Sequence, residues 1–161
     1  NREPMKDYSG LNVLVTGADG FVASHLCENL HEKNANVTGL LRRNSAGLFK
    51  NLDRIKDKIM IKWGDAQDPS ILYEVTKNTD IIFHLAAQSH VGHSLYNPHE
   101  TVTNDVISTL NVLEASKKHN IKKVIFASRV VLVIRSSCIV KFLTLTRPVP
   151  VGVNVNVGVE I

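Results

Sequence analysis

The segment Val13-Leu14-Val15-Thr16-Gly17-Ala18-Asp19-Gly20-Phe21-Val22-Ala23-Ser24-His25-Leu26 constrains this chain more than any other. A short apolar strand runs into a glycine turn, and the turn runs into an amphipathic helix. Gly17 lets the chain turn sharply. Gly20 keeps side chains away, so that backbone N–H groups can reach phosphate oxygens. A helix opening near Phe21 adds the positive end of its dipole, the arrangement that receives a pyrophosphate. Ala23 stands where a third glycine is usual and is small enough for helix and strand to pack closely. An ordinary tight strand–helix connection uses the same residue types, so the flanking sequence decides between the two readings.

The flanks alternate strand and helix. Leu11–Thr16 reads as a strand and Phe21–Lys33 as a helix, with Phe21, Val22, Leu26, Cys27 and Leu30 on one face. Val37–Leu41 is a second strand, and a short polar helical stretch follows at about Leu48–Ile55. Ile59–Trp63 is a third strand. Ser70–Thr76 reads as a brief helix with Ser70 or Asp68 near its cap. Asp80–Leu85 is the fourth strand and Val124–Ala127 the fifth. Between them Thr101–His119 forms a long helix, with Pro98 near its start and Val102, Val106, Leu110 and Leu113 along one face. Apolar strands alternating with helices predict an α/β fold of the Rossmann type. That is a doubly wound parallel sheet in a three-layer α/β/α arrangement, with the first strand central in the order 3-2-1-4-5.

Four motifs in this order and spacing carry a resemblance. They are Thr16-Gly17-x-x-Gly20-Phe21, Gly64-Asp65-Ala66-Gln67-Asp68, His84-Leu85-Ala86-Ala87-Gln88-Ser89, and Asn104-Asp105-Val106-x-x-Thr109-Leu110-Asn111-Val112-Leu113-Glu114-Ala115. From about Asn12 to Ser128 the chain resembles the extended short-chain dehydrogenase/reductase family, the NAD(P)-dependent nucleotide-sugar epimerases and dehydratases. The resemblance implies that Gly17, Asp19, Gly20, Phe21 and Val22 form the phosphate turn. It places Asp65 and Ala66 against adenine. It sets Leu85, Ala86, Ala87, Ser89 and Asn104 beside the nicotinamide ribose. On the residues alone, Asp65 is equally a turn cap, and the paired alanines equally serve close helix–sheet packing.

The end of the second strand bears on which dinucleotide is held. A carboxylate there would hold a ribose 2′-hydroxyl. This chain has Gly39-Leu40-Leu41-Arg42-Arg43-Asn44-Ser45 instead. The guanidiniums of Arg42 and Arg43 suit a 2′-phosphate, which favours NADP, with NAD the alternative. With Ala87-Gln88-Ser89-His90-Val91, this loop looks most like the GDP-mannose 4,6-dehydratase branch. That implies a nucleotide sugar such as GDP-mannose as substrate. In such relatives the cofactor takes a hydride from C4 while a tyrosine removes the hydroxyl proton. Their long helix pairs with a partner subunit's copy, which implies a homodimer here.

The pattern fails after the fifth strand. Phe126-Ala127-Ser128 fits the family, but Arg129 replaces the hydroxyl that polarises the sugar. Val130-Val131-Leu132-Val133-Ile134 follows where Val-Tyr-Gly is expected. The only tyrosines are Tyr8, Tyr73 and Tyr96, and none stands in the catalytic Tyr-x-x-x-Lys pair expected downstream. Ser128 is the one surviving hydroxyl and a weak catalytic candidate, for which a strand-end serine is the plainer reading. Residues 129–161 hold one acid, Glu160, and ten valines, and end in strict alternation from Val149 to Val159, a β-prone pattern. The sequence therefore divides into a dinucleotide-binding domain, 1–128, and an atypical tail, 129–161. Family members are much longer, so the fold is expected to be truncated and the chain inactive by itself. The competing reading is a non-catalytic dinucleotide-binding or interaction protein.

The remaining composition excludes more than it assigns. A net charge of +4 with scattered lysines and arginines argues against nucleic-acid binding. No apolar run reaches the ~18 residues of a membrane span. Cys27 and Cys138 fit a reducing compartment, so the expected location is the cytoplasm. His90-x-x-His93, with His84 and His99 nearby, lacks a completing carboxylate, and no metal site is expected. The stretch Gln88–Pro98, with Ser94, is instead expected beside the sugar nucleotide.

Overall fold

The structure is a computed structural model. It describes residues 8–43, 50–87 and 96–128, together with the backbones of 141–146 and 155–157. Five parallel strands form the centre of the sheet: β1 (Asn12–Thr16), β2 (Asn36–Leu41), β3 (Met60–Trp63), β4 (Ile81–His84) and β5 (Lys123–Ser128). Their order is β3-β2-β1-β4-β5, with β1 central. Two further strands, β6 (Lys141–Thr146) and β7 (Val155–Val157), extend the β5 edge antiparallel. β7 falls within the β-prone alternation of Val149–Val159, β6 answers to no strand read from the sequence, and the rest of 129–161 lies outside the described residues.

Both faces of the sheet are covered, which is why its strands read as unbroken apolar runs. Val13, Val15, Val37, Leu41 and Phe83 pack on one face with Cys27 and Leu30 of α1 (Phe21–Glu32). Leu14, Leu40, Ile82, Val124 and Phe126 pack on the other. Leu72 of α2 (Pro69–Val75) and Val112 and Ala115 of the long helix cover this second face. Asp68 is the N-cap of α2, its side chain accepting from Ser70 N. Among the described residues of the polar stretch near Leu48–Ile55, one 3-10 turn forms, at Lys50–Leu52.

Two expected helix faces need correction. In α1 the buried residues are Ala23, Ser24, Cys27 and Leu30, whereas Phe21 is 73 % and Val22 61 % exposed. They occupy the first turn of the helix. The long helix consists of α3 (Pro98–Val102), a π-helical turn (Thr103–Ile107) and α4 (Ser108–Lys118). Its buried stripe is Asn104, Ser108, Val112, Ala115 and Ser116, and the apolar set Val102, Val106 and Leu110 faces outward. Small polar residues allow the helix close to the sheet, and they bond within the helix: Ser116 Oγ donates to Val112 O at 2.6 Å.

Candidate functional site

The carboxyl ends of β1 to β4 open into a cleft of about 460 Å³. It sits where the strand order reverses around β1, the position at which open α/β sheets take ligands. Its lining brings together Gly17, Asp19, Gly20, Arg42, Asp65, Ala66, Leu85, Ala86, Ala87 and Asn104, expected from sequence. Thr16, Leu40, Asn51, Gly64 and Ser108, not assigned from sequence, complete it. Phe21 and Val22 stand outside the lining, exposed on the first turn of α1. Arg43 is exposed and also outside it. Ser128 ends β5, and of it only the backbone is described. Ser89, His90, His93, Ser94 and Arg129 lie outside the described residues.

The turn after β1 is held from both sides. Gly17 has φ +66°, and a Cβ there would lie 2.9 Å from Ala86 Cα. Its N–H donates to Leu40 O at 2.9 Å, and Gly20 N–H donates to Gly17 O at 2.9 Å. Across β2, a Cβ on Gly39 would meet Ala18 Cβ at 2.9 Å. From the 3-10 turn, Asn51 Nδ2 donates to Asp19 O at 2.8 Å. Helix α1 then begins with no side-chain cap at Gly20 and no acid in its first turn. Its leading N–H groups and positive dipole end are left for an external anion.

The opposite wall is polar and buried. The register sets Thr16 beside His84. Thr16 Oγ1 lies 2.8 Å from His84 Nδ1 and accepts from Ala86 N at 3.1 Å. His84 Nε2 lies 3.4 Å from Ser108 Oγ. Burial lowers the imidazole pKa to about 4. Asn104 is only 8 % exposed. Its Oδ1 accepts from Gln67 Nε2. Among the described residues its Nδ2 is buried without a hydrogen-bond partner, an amide donor at the cleft wall. Asn111 Nδ2 donates to Ala66 O at 3.2 Å and Gln67 O at 2.8 Å, tying the β3–α2 loop to α4. Asp65 Oδ1 accepts from Gln67 N at 2.9 Å, so it does cap the turn, yet it also lines the cleft. A carboxylate has lone pairs enough for both.

A larger groove, about 770 Å³, lies at the amino ends of β1 to β3, among Asn12, Asn36, Lys58, Lys62 and Glu74. Volume does not make it the site: it is remote from the glycine turn and from the carboxyl ends of the strands. A Tyr-x-x-x-Lys spacing does occur in the chain, at Tyr73 and Lys77, so the absence of the pair holds only for its place after β5. Tyr73 sits on α2 with its ring edge-on to His119 at 6.4 Å and Lys118 Nζ 4.2 Å above it. Neither Tyr73 nor Lys77 lines the cleft.

The fold and cleft define a doubly wound α/β protein with a glycine turn at the switch point. The chain belongs to the NAD dependent epimerase/dehydratase family, whose model matches residues 13–131. It is 32 % identical over 115 residues to the dTDP-glucose 4,6-dehydratase of Mycobacterium tuberculosis, covering 70 % of this chain and 34 % of that one. It is 32 % identical over 120 residues to the UDP-glucose 4-epimerase of Halalkalibacterium halodurans, covering 72 % and 34 %. The UDP-glucose 4-epimerase of Thermotoga maritima, solved with UDP-glucose, superposes with a TM-score of 0.68 at 31 % identity, covering 74 % of this chain and 38 % of that one. The match thus spans about a third of the length of the curated relatives.

Proposed function

We propose that the cleft holds a nicotinamide dinucleotide, NADP in preference to NAD. On this reading the chain is the cofactor-binding part of a nucleotide-sugar 4,6-dehydratase or epimerase. The observation that carries it is the uncapped, acid-free first turn of α1, opening on a glycine turn at the switch point of the sheet. The unpartnered, buried Nδ2 of Asn104, a residue of the cleft lining, supports it as well. Backbone N–H groups of Asp19 to Val22 would take the pyrophosphate. Asp65 and Ala66 would meet adenine. Leu85, Ala86, Ala87, Ser89 and Asn104 would border the nicotinamide ribose. Arg42, in the lining, with Arg43 beside it, would take a 2′-phosphate. When bound, the nicotinamide supplies hydride acceptance; this chain's residues bind and orient it.

The substrate on this reading is a nucleotide sugar, GDP-mannose among the candidates, and the location the cytoplasm, where the buried thiol of Cys27 stays reduced. The organisation is a cofactor domain to about Ser128 and an atypical tail that adds two strands to the same sheet, in keeping with a family match that ends at residue 131. Val102, Val106 and Leu110 form an exposed apolar stripe suited to a second copy of the chain. Light scattering at high concentration checks this; a purely monomeric mass rejects it.

The chain by itself is expected to convert no nucleotide sugar. Arg129 replaces the polarising hydroxyl, and the acid/base tyrosine pair is missing after β5. Positioned proton transfer contributes roughly 10²–10⁴-fold, and Ser128 does not replace it. The same absence favours the second reading, a non-catalytic dinucleotide-binding protein. Titration with NAD and NADP, then incubation with NADP and GDP-, UDP-, CDP- and dTDP-sugars, separates them. Binding without 4-keto product or epimer fits the chain as given; no binding of either dinucleotide rejects the proposal.

A further inference from the structure

We propose that His84 is a positioning residue of this cleft, a neutral imidazole protonated on Nε2 alone that ties the Thr16 hydroxyl at the glycine turn to Ser108 on the long helix. The proposal rests on the reading of the cleft as a dinucleotide site. It follows from accounting for each proton. Thr16 Oγ1 accepts the Ala86 N–H at 3.1 Å, so its own proton is left to donate, and His84 Nδ1 lies 2.8 Å away to accept it. Nδ1 then carries no proton, and the neutral ring carries its proton on Nε2. That nitrogen faces Ser108 Oγ at 3.4 Å, while Ser108 Oγ donates to Asp105 O at 3.4 Å and keeps lone pairs for the imidazole. Each of the four donors in this relay, Ala86 N–H, the Thr16 hydroxyl, His84 Nε2–H and the Ser108 hydroxyl, then has an acceptor.

The reverse tautomer breaks this order. An Nδ1–H aimed at Thr16 would displace the Thr16 proton from its acceptor. A bare Nε2 would compete with Asp105 O for the single Ser108 proton. A cation is no better placed. Among the described residues, Thr16 from β1, Phe126 from β5, edge-on at 5.5 Å, and Ser108 from α4 lie against the ring, and none of these three ionises. Burial is what keeps the ring uncharged.

His84 does not line the cleft, whereas Thr16, Ala86 and Ser108 do. The Thr16 bond to Ala86 N–H fixes the backbone against which Gly17 packs so closely that no Cβ fits. His84 therefore sets three walls from beneath: the glycine turn, the end of β4 and the long helix.

The test uses the full chain with labelled histidine. Two-bond ¹⁵N–¹H correlations of His84 should show Nε2–H with an unprotonated Nδ1 from pH 8 to pH 5; an Nδ1–H tautomer, or an imidazolium at pH 6, overturns the proposal. His84→Phe keeps a ring and removes both nitrogens. It should weaken NADP binding about tenfold and speed Ala86 amide exchange about tenfold; unchanged values for both overturn it. Should that variant fail to fold, Thr16→Val and Thr16→Ser take its place. The valine variant should lose the Nε2–H preference of His84 and the Ala86 protection, and the serine variant should keep both; equal behaviour of the two overturns the proposal. Failure of the wild type to bind either dinucleotide rejects the function proposed above. The tautomer and exchange measurements, which need no ligand, still decide on His84.

Discussion

The two sides of the cleft are built differently. The side formed by β1 and β4 is packed and bonded: Thr16 and His84 are buried, and Gly17 touches the Ala86 backbone. The side formed by the end of β2 is open, with Arg42 and Arg43 exposed. Backbone on the first side is over-determined, so its ligand contacts cost little reorganisation. Side chains on the second are free to change without disturbing the core. A fold constructed this way keeps one way of gripping a pyrophosphate and varies what lies beyond it.

Substitution at Gly17 should break this contrast most strongly. Gly17→Ala meets a left-handed backbone and the Ala86 Cα at 2.9 Å together. It should lose roughly 2–4 kcal/mol of stability and all measurable dinucleotide binding, read by urea denaturation and calorimetric titration. Gly10, at φ +71° with open space around it, is the control. Gly10→Ala should cost only the backbone strain, about 1 kcal/mol, and leave binding intact.

Acid should affect the bonded side next. The folded pKa of His84, about 4, is below the ordinary imidazole value of 6.5, so the unfolded chain binds more protons between those values. Stability is fully present above pH 6.5 and falls as pH drops toward 4, by roughly 3 kcal/mol in all. Urea midpoints at pH 7, 5.5 and 4 measure it, and His84→Phe should flatten that part of the profile. Asp80, whose carboxylate is held below its ordinary value mainly by Lys122 at 2.6 Å, adds a loss of the same sign only in stronger acid.

The open side should respond in selectivity and not in stability. Arg42→Ala should weaken NADP by about 1.5–3 kcal/mol, the worth of a charge-assisted contact, and leave NAD unchanged. The unfolding midpoint should stay within about 0.5 kcal/mol of wild type. Equal wild-type affinity for the two dinucleotides would mean that the β2 loop does not select. Asn51→Ala, which cuts the bond from the 3-10 turn to Asp19 O, joins the two sides and should be smallest, about 0.5–1 kcal/mol.

The glycine turn, the five-strand order and most of the cleft lining were legible because each leaves a local mark: apolar runs, small residues, a strand end. What escaped was polar and buried, or distant. Hydrophobic spacing selected Val102, Val106 and Leu110 as the inner face of the long helix. Asn104, Ser108 and Ser116 lie inside instead, held by side-chain bonds that periodicity does not register, with Asn104 Nδ2 left unpartnered among the described residues. Ser108, one helical turn after Asn104, was the one signal available. Asn51 reaches Asp19 from 32 positions away and has no local mark at all.

The π-helical turn at Thr103–Ile107 has a consequence for how such a helix changes length. A π turn is one residue more than the α-helix needs, so a single deletion inside it is absorbed by reversion to α geometry. The downstream stripe of Val112, Ala115 and Ser116 would stay in register on the sheet. Upstream, Pro98–Val102 would keep its facing as well, because the extra residue is confined to the wide turn. Only that turn, which carries Asn104 at the cleft wall, would be redrawn. One codon lost here would thus leave both flanks of the helix standing while reshaping the turn that presents Asn104.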